Sequence, residues 1–377
     1  MASRPAPAFV QVDTFSGVNA ALRVQVEQLL GVAFDVVDVV DRRRVSRSGV
    51  LGAPWANVVP MLRGGGVAGL RHPRACVADR FSTTTAFDHR SELARRALRE
   101  LRPTFCLQTQ TMFDASLPDV PHVIYTDHTM LAQARYPRPL MDVSRKGGWI
   151  ARERSTYRAA VRVLTFSEFA RRSVVEDYGV DPSRVVDVGS GCNVPVPDAP
   201  PRRDRPVRAV LFLGFEWERK GGPLLLEAFR RLHAEHPDTR LVVAGCAPAL
   251  TEPGVEVLGR VPASRVPDLL RDADVFSMPS WVEPSAGVYL EAAAYGLPVV
   301  ATAVGGTPER VVDGRTGLLS EAGDVQALHE NLRRLVLEDG TARRLGAAGH
   351  ALVRERFTWQ AVAGRVVEQL RTVGLAS

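Results

Sequence analysis

The stretch EPSAGVYLEAAAYGLPVVATAVGG, Glu283 to Gly306, decides how the rest of the chain is read. Residues Ala286 to Tyr295 hold Leu, Glu and several Ala, all good helix formers, while Gly296 suits the residue just past a helix end and Pro298 cannot continue one. The run Pro298 to Ala303 is apolar and partly β-branched, as a strand buried on both faces should be. Upstream, Asp274 to Met278 reads as another such strand. The order strand, loop, helix, strand puts Glu283 in the loop before a helix and Glu291 inside that helix. In an open α/β sheet such a loop borders the ligand crevice. The N–H groups of Ala286, Gly287 and Val288 would point out of the helix start and favour an anion. Carboxylates on either side of that anion suit hydroxyl groups flanking a phosphate.

Working outward, strand and helix patterns alternate on both sides of the proline-rich stretch VPVPDAPPRRDRP, Val194 to Pro206. Before it, Phe9–Val12, Phe34–Val40, Phe105–Gln108, His122–Thr126, Val161–Phe166 and Arg184–Val188 read as strands, with helices over Asn19–Leu30 and Glu168–Tyr178. After it, Val207–Leu213, Arg240–Ala244 and Val255–Leu258 read as strands. Helices are expected over Gly222–His236, Val266–Arg271, Val325–Leu337 and Thr341–Arg356, with a last segment from Trp359. Alternation of this kind means an α/β fold with parallel sheets. The expected division is residues 1–195, a linker at 196–206 and residues 207–357, with 358–377 packing back on the first part, so that two doubly wound layers face a deep cleft.

Composition narrows the function. The chain has 377 residues, 45% hydrophobic and 24% charged, enough for two cores. No apolar run reaches the length of a membrane span, and MASRPAPAFVQV lacks the apolar h-region of an export signal. Cys76, Cys106, Cys192 and Cys246 are scattered and form no metal-spaced cluster, which points to a reducing cytoplasm and to no metal site. The net charge of +6 is spread along the chain without aromatic RNA-binding motifs, so no nucleic-acid partner is expected. The positive charge is nearly all arginine. Lys146 and Lys220 are the only lysines, which sets Lys220 apart from an ordinary surface lysine.

Taken together, the motifs resemble glycosyltransferase family 4. The resemblance is carried by MPSWVEPSAGVYLEAAAYGLPVVATAVGGTPERVVDGRTGLLSEAGD with its Glu-x7-Glu element, by LFLGFEWERKGGPLLLEAF, by RVLTFSEFARRSVVEDYGVDPSRVVDVGSG and by ERFTWQAVAGRV. It covers roughly Ala151 to Val367; the earlier residues match in outline. It implies the GT-B fold, two Rossmann-like domains around a cleft, and a retaining transferase that uses a nucleotide-diphosphate sugar without metal or other cofactor. The later domain would hold the donor, and the first would select a hydroxyl acceptor: a lipid, a polysaccharide or a small natural product.

The resemblance also implies roles. Glu283 would contact donor-sugar hydroxyls and Glu291 the ribose. The turn Gly214–Gly221 joins a buried strand to a helix; its glycines let backbone approach phosphate, and Arg219 and Lys220 supply charge for the leaving diphosphate. The family's usual Arg after the first glycine is Phe215 here, so Arg219 is the expected substitute. Ser285-Ala286 stands where the family has an aromatic-Gly pair, with Gly287 and Val288 following at the phosphate. Gly17, after Ser16, is expected across the cleft. His128, with Asp127 beside it, would lie near the reacting sugar, and Arg260 and Val261 near the base.

Several features are better read as structure. Ser167 suits a helix N-cap. Asp272-Ala273-Asp274 spells D-x-D but lies where a helix end runs into a buried strand, and Gly64-Gly65-Gly66 follows no strand. In Ser91–Leu101, Leu93, Ala97, Leu98 and Leu101 are placed on one side with Arg95, Arg96 and Arg99 elsewhere. That helix is expected to cover the sheet, the alternative being peripheral contact with an anionic inner-membrane face. Two other functions stay open: a GT-B phosphorylase or epimerase, and a catalytically silent nucleotide-sugar-binding protein.

Overall fold

The structure is a computed structural model and describes residues 5–12, 17–39, 83–201 and 205–377. The glycine run at 64–66 and Cys76 lie outside these residues, as does Ser16.

Two six-stranded parallel sheets organise the chain. The first comprises β1 (Ala8–Gln11), β2 (Asp35–Asp38), β3 (Cys106–Thr109), β4 (His122–Thr126), β5 (Arg162–Thr165) and β6 (Val185–Asp187), in the order β2-β1-β3-β4-β5-β6. The second comprises β7 (Ala209–Leu213), β8 (Arg240–Ala244), β9 (Val255–Gly259), β10 (Val275–Met278), β11 (Val299–Thr302) and β12 (Gly317–Ser320), in the order β12-β11-β10-β7-β8-β9. The central strands β3, β4, β10 and β11 are buried along their whole length, as in a parallel sheet covered on both faces. Strand order reverses between β1 and β3 in the first sheet and between β7 and β10 in the second. Ligands of doubly wound sheets bind outside the carboxyl ends of the strands at such a reversal.

The helices, in chain order, are α1 (Val18–Leu30), α2 (Thr84–Leu101), α3 (Gly147–Ala159), α4 (Glu168–Arg172), α5 (Gly222–Glu235), α6 (Val266–Asp272), α7 (Gly287–Ala294), α8 (Thr307–Arg310), α9 (Val325–Leu337), α10 (Asp339–Arg356) and α11 (Trp359–Thr372). The last, α11, crosses back to the first sheet. Its Val362, Ala363, Val366, Val367 and Leu370 are buried in one cluster with Phe9, Leu22 and Val26. Each fully buried Val or Leu there contributes roughly 1.5–3 kcal/mol. Gly191 permits the crossing, because a Cβ at that position would lie 2.3 Å from the Trp359 ring.

Two sequence expectations are corrected. The helix expected over Glu168–Tyr178 is α for its first turn only. A π-turn, Ser173–Asp177, follows and widens the spiral before Tyr178. Helix α2 begins at Thr84 and buries Phe87, Arg90, Ser91, Ala94 and Leu98. Leu93 therefore lies off the face that buries Ala94 and Leu98 and is exposed, and Leu101, three residues after Leu98, is exposed at the last position of the helix. The buried face starts one turn before the stretch read from sequence. Among the described residues no helix is long and apolar enough to cross a membrane.

Candidate active site

Two loops at the reversal in the second sheet carry the charged residues. After β7, the Gly214 N–H donates to the Ala244 carbonyl at 3.0 Å, continuing the ladder. The following turn closes when the Lys220 N–H donates to the Glu216 carbonyl at 2.9 Å. Gly221 has φ +74°, and a Cβ there would lie 1.8 Å from the Pro279 carbonyl oxygen. Only glycine fits that left-handed turn with another backbone pressed against it. The contact brings the loop after β7 onto the loop after β10, where the Trp281 N–H donates to the Arg219 carbonyl at 3.0 Å.

This packing joins three of the residues singled out in the sequence. Lys220 Nζ is ion-paired with Glu283 Oε2, the two side chains being 14% and 5% exposed. The Arg219 guanidinium donates to the Val282 carbonyl at 2.9 Å and pairs with Glu216 at 2.8 Å. The Lys220 ammonium and the Glu283 carboxylate are thus each other's counter-ion in a largely desolvated place, where charge interacts more strongly than in water. Phe215, in the same turn, is 74% exposed.

Helix α7 starts beside them. Its N-cap Ala286 offers no side-chain acceptor, so the first N–H groups, at Gly287 and Val288, lack a side-chain cap. Among the described residues, the only neighbour within 4 Å of a Cβ built on Gly287 is Asn193 Nδ2, at 4.0 Å. One turn on, Glu291 is half-buried, and among the described residues no hydrogen bond reaches its carboxylate. Burial pushes its pKa up to about 7. Its neighbour Cys192 is raised to about 12, chiefly by burial, with the Glu291 charge adding. A carboxylate held away from water without a donor is suited to accept hydrogen bonds from ligand hydroxyls.

Ser285 is already engaged: its hydroxyl accepts from Arg310 Nη2 at 2.8 Å and lies 3.4 Å from Ser190 Oγ. Arg310 was not found from sequence. It is 3% exposed, donates also to the Phe166 carbonyl at 2.5 Å, and lies over the Phe357 ring at 4.4 Å. Its neighbour Glu309 accepts from the N–H groups of Glu168 and Phe169 at 2.7 and 3.0 Å, and so caps α4 of the other layer. Ser167 caps the same helix through Ala170 N–H at 3.2 Å.

The first layer supplies the facing wall. His128, just past β4, stacks on Tyr136 and Phe169 with ring centroids 5.7 and 6.3 Å away. Its Nε2 is buried without a hydrogen-bond partner among the described residues, and burial lowers its pKa to about 4, which keeps the imidazole neutral near pH 7. Burial raises Asp127 to about 6, and the Glu283 charge adds to the shift. Tyr136, also missed from sequence, is buried with an unpartnered hydroxyl, and a Cβ on Gly305 would lie 2.9 Å from that oxygen.

Gly17 is exposed, has φ +84° and starts α1 without a side-chain cap. Arg260 is exposed and Val261 half-buried, just after β9. A backbone bridge links Arg260 and Val261 to the turn after β7: the Gly245 N–H donates to the Gly259 carbonyl at 2.8 Å, and a Cβ on Gly245 would lie 2.8 Å from the Gly214 oxygen. Asp274 of the D-x-D is occupied. It accepts from Arg205 Nε at 2.9 Å and from the N–H groups of Arg208 and Ala209 at 3.0 and 2.9 Å, which anchors the entry to β7. Among the described residues no group of His, Cys, Asp and Glu has the arrangement of a metal site.

The architecture is shared with solved glycosyltransferases. HepE of Anabaena, solved with UDP and glucose, superposes with a TM-score of 0.65 at 16% identity, covering 98% of this chain and 100% of that one. A glycosyltransferase of Rickettsia africae gives 0.64 at 14% identity, covering 98% and 99%. The fold is that of the GT-B glycosyltransferases.

In sequence, the profile described as "Glycosyl transferases group 1" matches residues 207–338. The alpha-maltose-1-phosphate synthase of Mycolicibacterium smegmatis is 33% identical over 294 residues, 67% of this chain and 73% of that protein. A GDP-mannose-dependent alpha-(1-6)-phosphatidylinositol monomannoside mannosyltransferase of the same organism is 34% identical over 239 residues, 55% of this chain and 62% of that protein. The D-inositol 3-phosphate glycosyltransferase of Corynebacterium aurimucosum is 30% identical over 276 residues, 65% of this chain and 64% of that protein. The matches to the last two span less than two thirds of their length. The chain belongs to the group 1 glycosyltransferases.

Proposed function

We propose that the protein is a metal-independent, retaining transferase of the family 4 type that moves a sugar from a nucleotide-diphosphate donor to a hydroxyl acceptor. The observation that carries this reading is the joining of Arg219, Lys220 and Glu283 at the strand-order reversal, beside the uncapped start of α7. Lys220, Arg219 and the N–H groups of Gly287 and Val288 would hold the diphosphate. Glu291, unpaired one turn along, would accept from the ribose hydroxyls. Glu283 would take sugar hydroxyls once phosphate draws the ammonium away. The first layer would bring the acceptor past His128.

Front-face displacement fits this arrangement. The bond from the anomeric carbon to the phosphate oxygen breaks while the acceptor oxygen bonds to the same face, and the acceptor proton passes to the departing phosphate. Glu283 is assigned to the sugar hydroxyls and burial raises Asp127, so neither carboxylate is assigned as a nucleophile. The diphosphate clamp then supplies the charge stabilisation. The named relatives suggest where to begin with acceptors: inositol 3-phosphate and phosphatidylinositol mannoside.

The test is a thermal-shift panel of GDP-mannose, UDP-glucose, other UDP-, ADP- and TDP-sugars and the free nucleoside diphosphates in EDTA, followed by release of nucleoside diphosphate with those acceptors. Stabilisation and turnover by one donor in EDTA is the expected result. Turnover that appears only after Mn²⁺ or Mg²⁺ is restored contradicts metal independence. Binding of a donor without consumption under every acceptor contradicts the transferase reading.

A further inference from the structure

Under the His128 wall lies a buried polar cluster that the donor chemistry does not use. Its centre is Glu153, 2% exposed, in the middle of α3. Its Oε1 accepts from Thr111 Oγ1 at 2.9 Å, its Oε2 accepts from the Met130 N–H at 3.0 Å, and the Tyr178 hydroxyl also donates to it. Tyr157 joins through Thr111, with 3.0 Å between their oxygens. A second layer surrounds this one. Tyr178 OH accepts from the Leu131 N–H at 3.1 Å, Thr129 and Ser173 share a hydroxyl contact of 2.7 Å, and the Ala132 N–H donates to Thr129 Oγ1 at 3.0 Å. The π-turn at Ser173–Asp177 sets Ser173 and Tyr178 into this network; such widened turns recur at functional sites.

The geometry fixes what the cluster holds. Thr111 lies just past β3 and Met130 just past β4, so Glu153 ties together the two loops at the carboxyl ends of the central strands. Asp127 and His128 lie on the second loop, between the end of β4 and the Met130 amide that Glu153 receives. An apolar core would have served stability alone, since buried ionic groups often stabilise less than well-packed hydrocarbon. A carboxylate that collects donors from separate loops fixes their mutual position as well.

We propose that Glu153 is a positioning residue for the reaction: it sets the loop that presents His128, and acts through that side chain. The proposal rests on the reading that His128 lies against the donor sugar. The test is a double-mutant cycle. Glu153→Gln, which keeps an acceptor oxygen, and Tyr178→Phe, which deletes one donor and leaves the ring packing, are each made with His128 intact and with His128→Ala. Nucleoside diphosphate release is followed from GDP-mannose or UDP-glucose, whichever is turned over, and affinity for the free nucleoside diphosphate is measured alongside.

With His128 present, both variants should lower kcat, by as much as about 100-fold if the loop moves by an ångström, with nucleoside diphosphate affinity within twofold of wild type. Amide exchange at Met130 and Leu131 should quicken. In the His128→Ala background the same changes should lower kcat less than twofold further. Equal losses in both backgrounds, or wild-type kcat in both variants, would overturn the proposal and leave the assignment of His128 standing. If His128→Ala itself keeps kcat within twofold, the reading of the site and the proposal fall together.

Discussion

Replacing Glu291 by Gln should make the ligand-free protein more stable at pH 8 and a weaker binder of nucleotide. The carboxyl is raised from 4.5 to about 7 by burial. Each tenfold change in proton affinity corresponds to about 1.36 kcal/mol, so ionised Glu291 destabilises the folded state by roughly 3 kcal/mol. An amide without partners in the same place costs about 1 kcal/mol, which leaves a net gain of roughly 1–2 kcal/mol for the variant. The sign follows from proton linkage. Because the folded pKa is raised, the folded state holds the proton more tightly than the unfolded chain between pH 4.5 and 7. The wild type therefore loses stability relative to the variant as pH rises through that window. Above pH 7 the difference is constant, and below 4.5 it vanishes apart from the amide term. Saturating nucleoside diphosphate should reverse the order, because the carboxylate's hydrogen bonds to ribose contribute about 1.5–3 kcal/mol that the amide forfeits. The assay is thermal unfolding of both proteins at pH 5 and pH 8, with and without ligand, alongside calorimetric affinities. A variant no more stable than wild type at pH 8, or one that binds nucleoside diphosphate as wild type does, refutes the reasoning.

Three further substitutions probe the neighbouring groups. Lys220→Ala removes a charge-assisted phosphate contact and should lower kcat/KM by about 1.5–3 kcal/mol; steady-state values within twofold of wild type would remove Lys220 from the clamp. Glu283→Gln should leave affinity for the free nucleoside diphosphate intact while sugar transfer falls, and equal weakening of nucleotide and sugar donor by calorimetry would contradict the assignment to sugar. Gly221→Ala forces a Cβ to within 1.8 Å of the Pro279 oxygen at a left-handed φ. It should lower the unfolding midpoint and abolish donor binding together, and a variant with wild-type melting and binding would show that the two loops can separate freely.

Much of this could be read from the chain because the central strands are buried on both faces. His122–Thr126, buried throughout, was placed to the residue; so was Arg240–Ala244, although it is only partly buried, and the order strand, Glu283 loop, helix, strand is the one observed. Among the elements missed, two show the physical reason. Strand β12 is the short run GLLS following a turn, too brief to show a period. Helix α3 opens on two glycines and buries Glu153 and Thr156 beside Trp149 and Tyr157, so its inward face carries no apolar rhythm. In the site, Lys220 stood out because lysine is scarce, and the two glutamates because of their spacing. Arg310 had no such signal among so many arginines; only its burial distinguishes it. Tyr136 and Gly245 act through contacts made by distant parts of the chain, which no local pattern encodes.

Glu309 and Arg310 share one short helix, yet both reach into the other layer: one caps α4, the other donates to the Phe166 carbonyl and to Ser190. Pulling the layers apart at this corner would uncap a helix, a loss of about 1 kcal/mol, and break the guanidinium's bonds to the Phe166 carbonyl and the Ser190 hydroxyl. Opening of the cleft is therefore expected to pivot here, as covers turn about a spine, with the far rim travelling most. Such a pivot governs how quickly substrate enters and product leaves more than how tightly either is held. Glu309→Gln should accordingly change association and dissociation rates of nucleoside diphosphate in the same direction with their ratio nearly preserved; a changed affinity at unchanged association rate would place the pivot elsewhere.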